Sequence, residues 1–306
     1  MKLNRFIEKK NLWFTCSGLI ILLGFLMMGF RAVQSKPTLN YGIDFVGGST
    51  LILKFDSLNQ AIREGKDVSS SFTQSVRQVL DPFGLKNSSI QISQDGEVII
   101  KTAHIEQATI TAVQGALKTQ LGNLEVLEID YIGPTIGAEL QTKSIWIVLL
   151  VTFLLLIYIT FRFDVSYGVG VLAATLHDAF IIVSVASIFY IEVNTEFVAA
   201  ILTILGYSIN DTVVIFDRIR ENAHKLKEGM SMTLLANQSI TQTLGRTLNT
   251  SVATLIVVFS LFFLGGVTIK SFCLVLFVGI VVGTYSSIFI AAPVLVMTHR
   301  KTGTDE

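Results

Sequence analysis

The amino-acid sequence predicts a polytopic α-helical membrane protein with one polar domain inserted between its first and second transmembrane helices. Apolar residues make up 51% of the chain and charged residues only 15%, where a soluble domain carries about 25% charge. Six apolar runs, near 12–30, 144–161, 167–190, 197–216, 247–267 and 271–297, each approach the ~20 residues that a helix needs to cross hydrocarbon. A single long polar segment, 35–143, separates the first run from the rest and is long enough to fold by itself.

The first run follows Lys2, Arg5, Lys9 and Lys10 and is longer than the core of a secretory signal, about 7–15 residues, so it reads as an uncleaved anchor. Basic residues recur at Arg162, at Arg218, Arg220, Lys225 and Lys227, and at Arg300 and Lys301, on the side that the basic N-terminus assigns to the cytoplasm. The opposite connections, 191–196 and 265–270, carry only Lys270. Both termini are therefore expected in the cytoplasm. Residues 1–34 would hold the N-terminus and first helix, 35–143 would lie outside, and 144–306 would form five helices with a cytoplasmic loop near 218–240.

The polar segment has its own pattern. After the turn-rich GIDFVGGST (42–50), TLILKF (50–55) reads as a strand and 68–80 as a helix stopped at Asp81-Pro82. SSIQIS (88–93) and EVIIKT (97–102) alternate around Gln94-Asp95-Gly96 as a hairpin, 104–121 is helical, and 124–131 closes as a strand. The order β-α-β-β-α-β predicts a ferredoxin-like α+β domain. Asp44, Gly47 and Gly48 surround its first strand, where glycine permits the turn or close approach that a helix-to-domain junction requires.

Several chemistries are excluded by what the chain lacks. No Lys-Ser/Thr follows the paired glycines, so they are not a nucleotide-binding loop, and there is no G-x-S-x-G or H-E-x-x-H for hydrolysis. Cys16 and Cys273 both lie in apolar runs, which leaves no disulfide framework or metal cluster. The expectation is a non-enzymatic protein with no cofactor, no metal and no nucleic-acid partner.

The informative residues are polar groups inside apolar spans. Asp211 lies six residues before Asp217, ~9 Å along a helix from the charged boundary. An intramembrane carboxyl costs at least ~2.5 kcal/mol and is a functional-site hypothesis by default. It suits a proton carrier; the alternative is a hydrated helix end beside Asn210. Arg246 is the sole charged residue between Gly229 and Ile269 and is the expected counter-charge, with Ser239, Gln242, Thr243, Asn249 and Thr250 at helical spacings on its face. Thr247, Ser251 and Thr254 broaden that stripe. The alternative for Arg246 is snorkelling to the membrane surface. His177 and Asp178, centred in the third span, are a second proton-path candidate, or else a packing pair. Gly279 and Gly283 read as a close-packing motif.

YGIDFVGG (41–48), YIGPTIGAEL (131–140), FRFD (161–164), LHD (176–178), LGYSINDTVVIFDRIREN (205–222) and TQTLGRTLNTS (241–251), in order over nearly the whole chain, resemble the SecF family of bacterial preprotein translocase subunits. The resemblance implies six spans and a moving outer domain, with an architecture related to proton-driven transporters of the resistance-nodulation-division type. It implies a SecD partner in a complex that associates with SecYEG and with YajC- or YidC-like accessory proteins. That complex uses the proton-motive force to complete export of a translocating preprotein through an inner (plasma) membrane or an internal photosynthetic one. By position, the coupling acid falls on Asp211 and the essential arginine on Arg246. A proton-driven exporter of small molecules or lipids, and a purely structural subunit, are the alternatives.

Overall fold

The computed structural model describes residues 5–64, 68–93, 96–103, 105–226 and 229–302. Lys2, Lys227 and the Gln94-Asp95 part of the predicted hairpin turn lie outside them. The chain divides into two compact units, Tyr41–Ser144, and the residues up to Asn40 together with those from Ile145 onward.

The first unit is a four-stranded antiparallel sheet with helices on it. Its elements are β1 (Gly48–Phe55), α2 (Asp56–Arg63), α3 (Ser69–Leu80), β2 (Ser89–Ile92), β3 (Glu97–Thr102), α4 (Gln107–Leu121) and β4 (Leu124–Ile132), with strand order β2-β3-β1-β4. β1 is central and pairs with both β3 and β4. Leu51, Leu53 and Phe55 alternate along β1 onto one face, where Val76, Val79 and Leu80 of α3 and Ile110, Val113 and Leu117 of α4 close the core. Helix α2 is the element that the sequence reading passed over. Leu58 is buried and Ile62, one turn on, packs against the same core.

Before β1 the backbone turns through Gly47 (φ 76°) and Gly48 (φ 152°), both in the region that a side chain resists. A Cβ on Gly47 would lie 2.8 Å from Pro134 Cα, and one on Gly48 would lie 2.6 Å from the Thr102 carbonyl oxygen. Asp44 sits half-buried in the helical turn Ile43–Val46 just before them. The paired glycines thus let this turn lie flush against the residues that begin the next helix and against β3.

Among the described residues, six helices are long and apolar enough to cross a membrane: α1 (Lys10–Val33), α5 (Pro134–Arg162), α6 (Val165–Phe189), α7 (Thr195–Asn222), α8 (Met232–Leu264), and a final span of α9 (Val267–Ser286), a π turn (Ser287–Ala291) and α10 (Ala292–Thr302). α6, α7 and the final span are buried along half or more of their length, whereas α1, α5 and α8 present most of their surface outward. Most helices outrun their apolar runs because local chemistry extends them. Pro134 opens α5 at the position where proline is tolerated. Asn194 and Ser231 cap α7 and α8 by accepting from the Phe197 and Leu234 amides. The pairs Arg220–Asp217 (2.9 Å) and Arg218–Glu221 (2.7 Å) carry α7 through the charged segment to Asn222. The connection expected near 218–240 is therefore mostly helical.

The π turn has a local cause in Pro293. Proline has no N–H to return to Phe289, so the helix cannot keep its ordinary spacing there. α7 and α9 approach closely at glycine: a Cβ on Gly279 would collide with Ile204, and one on Gly283 would lie 2.9 Å from Ser208 Cβ. We predict that Gly279→Val costs about 1–3 kcal/mol and lowers the thermal midpoint of the purified protein, whereas Gly206→Ala, where a Cβ meets nothing within 4 Å and alanine is the better helix former, does not lower it.

Candidate functional site

A hydroxyl-rich core runs between α6, α7 and the final span. Asp178 on α6 is fully buried, at 0% exposure, with His177 beside it at 8%. Its Oδ2 accepts hydrogen bonds from Ser208 of α7 (2.6 Å) and Ser286 of α9 (2.9 Å). Its Oδ1 lies 3.0 Å from His177 Nδ1. The other imidazole nitrogen, Nε2, meets Ser17 of α1 at 2.8 Å. Ser17 contacts the Tyr285 hydroxyl at 3.2 Å, and Tyr285 donates to the Trp13 carbonyl at 2.9 Å. One acid thereby ties four helices together, with each of its oxygens satisfied inside the protein. That is the condition for a polar group where water is scarce.

Asp211 is the second buried acid, at 2% exposure, on the face of α7 that also carries Ile204, Ser208 and Ile215. Its hydrogen bond is longer: Ser251 of α8 approaches Oδ2 at 3.5 Å. Ser251 also meets Thr284 of α9 at 2.7 Å and Tyr207 at 3.4 Å. Thr212 and Ser287 close the hydroxyl cluster, the former bonding Ser287 Oγ at 2.9 Å and the latter the Ser208 carbonyl at 3.1 Å.

Arg246 does not join this core. It is exposed on α8, and although its field acts on Asp211, the two do not come within ion-pair distance. Asn249 and Thr250 are exposed on α8 as well, and so is Asn210 on α7. The buried edge of the α8 stripe is instead Ser239, Thr243, Thr247 and Ser251. This edge is offset by one residue, or ~100° of helix rotation, from Arg246. The reason is chemical. Thr243 and Ser251 satisfy their hydroxyls on the carbonyls four residues back, at 3.1 and 2.9 Å, so they can be buried with no outside partner. A guanidinium has five donors and no such local acceptor.

Sequence reasoning missed Ser17, Ser208, Thr212, Thr284, Tyr285, Ser286 and Ser287. A signal for the last four was present in TYSS (284–287), four polar residues in a row inside an apolar span.

Residues 112–301 match the family model described as protein export membrane protein SecD/SecF, C-terminal, and residues 35–57 match the SecD/SecF GG motif. The chain belongs to the SecD/SecF family. The matched GG segment contains Gly47 and Gly48. Protein translocase subunit SecF of Sebaldella termitidis is 35% identical over 297 residues, covering 97% of this chain and 92% of that one. The SecF subunit of Thermodesulfovibrio yellowstonii is 38% identical over 304 residues, covering 97% and 95%. Among solved structures, SecDF of Thermus thermophilus, a translocon-associated membrane protein, matches with a TM-score of 0.79 at 33% identity over 98% of this chain. SecDF in its super-membrane-facing form matches with a TM-score of 0.66 at 32% identity. This chain spans 39% of the length of either SecDF chain. It is a membrane-embedded protein of the translocase kind, six apolar helices and all.

The burial pattern makes a direct prediction. Ser208→Ala removes a donor from a buried carboxylate and should destabilise the protein by about 1–3 kcal/mol. Asn249→Ala, on the exposed side of α8, should change stability by no more than about 0.5 kcal/mol. Denaturation followed by circular dichroism in detergent micelles checks both.

Proposed function

We propose that this chain is the SecF-type subunit of a protein-export translocase and that, with a SecD partner, it draws on the proton-motive force to complete preprotein translocation through SecYEG. The relatives' names and the SecDF likeness support the Sec-machinery role. One observation carries the proton step: Asp211 is a buried acid in an apolar helix with no cation among the described residues at ion-pair distance. A carboxyl so placed is a group for which protonation and conformation are coupled, because its ionised form demands a partner that this conformation does not bring to it.

In this reading Arg246 supplies that partner in a second conformation. The one-residue offset between Arg246 and the buried edge of α8 means that turning α8 about its axis exchanges Ser251 and Thr247 for Arg246 at the α7 face. Proton arrival at Asp211 favours the hydroxyl-lined state, and proton departure favours the arginine-paired one. Each proton crossing ~100 mV supplies about 2.3 kcal/mol from the electrical term, enough to shift a two-state population more than tenfold.

The α+β unit has the strand order and connectivity of a ferredoxin-like domain. It lies, in this proposal, on the extracytoplasmic side, with both termini in the cytoplasm, because the basic residues gather near the chain ends and at the α7–α8 connection. Accessory proteins of the YajC or YidC kind would assemble around this complex, in an inner membrane.

The test is chase of a stalled precursor in inverted membrane vesicles, with and without a proton gradient, at matched subunit levels. Asp211→Asn should abolish the gradient-dependent part and leave the remainder intact. A gradient-dependent chase equal to wild type would show that Asp211 is structural.

A further inference from the structure

The step proposed for Asp211 leaves the most buried acid, Asp178, without a role. Its neighbours determine where its protons lie. The Trp13 carbonyl can only accept, so the single proton of the Tyr285 hydroxyl is donated to it across 2.9 Å. Tyr285 oxygen then accepts, and Ser17 directs its one proton there across 3.2 Å. Ser17 Oγ must therefore accept from His177 at 2.8 Å, which places a hydrogen on Nε2. On the other side, Asp178 Oδ2 accepts from both Ser208 and Ser286. The 3.0 Å contact between Nδ1 and Oδ1 is left to be bridged by one proton. The pair thus holds two protons, one on Nε2 and one shared.

Removing one proton reorders this chain. The remaining ring proton is drawn to Nδ1, where it serves the Asp178 carboxylate, and Nε2 becomes an acceptor. Ser17 must then turn its O–H toward Nε2 and away from Tyr285. One proton leaves the pair, and otherwise only hydrogen-bond directions and the ring tautomer change. The consequence is the loss of one of the two hydrogen bonds between α1 and Tyr285 of α9, the Tyr285–Trp13 bond remaining.

We propose that His177 and Asp178 form a second proton-binding site, whose protonation state sets the Ser17–Tyr285 hydrogen bond, one of the two between α1 and Tyr285, and with it how α1 sits against α9; its role in coupling rests on the proton-driven reading above. The hydroxyl chain is a readout and not a conduit, since it ends on a backbone carbonyl that cannot pass a proton on. Beside it lies an open apolar groove of about 240 Å³, lined by Trp13, Cys16, Ser17, His177, Ile181 and Tyr285 among others. The groups facing the pair are few. α1 offers Ser17 and the Cys16 thiol, α9 offers Tyr285 and Ser286, and α7 offers Ser208 with Asp211 one turn beyond. Among the described residues, His177 is the sole ion-pair partner of Asp178.

Trp13 is a built-in reporter, because its ring packs 4.2 Å from Phe289 and edge-on to Tyr285. The chain has two tryptophans, so Trp146→Phe isolates it. In the full-length chain in lipid nanodiscs, Trp13 emission should shift reversibly with pH. The shift should vanish in Asp178→Asn and in Ser17→Ala and persist in Asp211→Asn. Nitrogen NMR of the unsubstituted protein, which needs no variant to fold, should find His177 protonated on Nε2 on the acid side of that shift and on Nδ1 alone on the basic side. A pH response unchanged in Asp178→Asn, no pH response at all, or a His177 ring that never changes tautomer overturns the inference. Loss of gradient-dependent chase in Asp211→Asn alongside any of those results would leave the reading of Asp211 standing. Retained chase alongside an Asp178-dependent Trp13 shift would sink that reading and keep this site.

Discussion

A carboxylic acid with no exposed surface must find every hydrogen-bond partner inside the protein, and the arrangement of the helices follows from how Asp178 does so. Its two oxygens draw Ser208 from α7, Ser286 from α9 and, through His177, Ser17 from α1. Hydrophobic burial gives little preference between helices in a membrane, because lipid is as apolar as leucine. Direction-specific polar contacts of this kind therefore decide which helices pack together and in what register.

Two backbone features make room for those contacts. Glycines 279 and 283 let α9 approach α7 closely enough for serine to bridge them. The π turn forced by Pro293 breaks the regular ladder where Ser287 returns to the Ser208 carbonyl. α8 meets the core at the level of Asp211 through Ser251, which bonds Thr284 and Tyr207 and approaches Asp211 at 3.5 Å. Its cation sits just off the buried face. A well-anchored acid at Asp178 beside a weakly partnered one at Asp211 is the asymmetry expected where one element of a bundle moves against the rest.

Much of this was legible in the sequence. Apolar runs located all six long helices, because a membrane span has a minimum length that composition alone reveals. Period-two and period-3.6 patterns located the strands and the longer helices of the α+β unit. Helix α2 was missed because eight residues with two apolar anchors, Leu58 and Ile62, make too short a pattern to stand out. Asp211 and the His177–Asp178 pair were conspicuous as ionisable residues among apolar ones. What could not be read was rotation about a helix axis. Arg246 marked the polar stripe of α8 correctly, but which edge of the stripe faces inward depends on the hydroxyl back-bonding that lets Thr243 and Ser251 be buried in its place. The serines escaped notice for the opposite reason. A hydroxyl is common in membrane helices, and only the third dimension shows that Ser17, Ser208 and Ser286 converge on one carboxyl.

The central claim is that a proton must bind inside this bundle for it to change state. The most direct measurement is proton flux into proteoliposomes that hold the chain with its SecD-type partner, driven by an imposed potential and read by an entrapped pH-sensitive dye. The account predicts flux in wild type and its reduction by at least an order of magnitude in Asp211→Asn at equal protein incorporation. Equal flux in the two would contradict it.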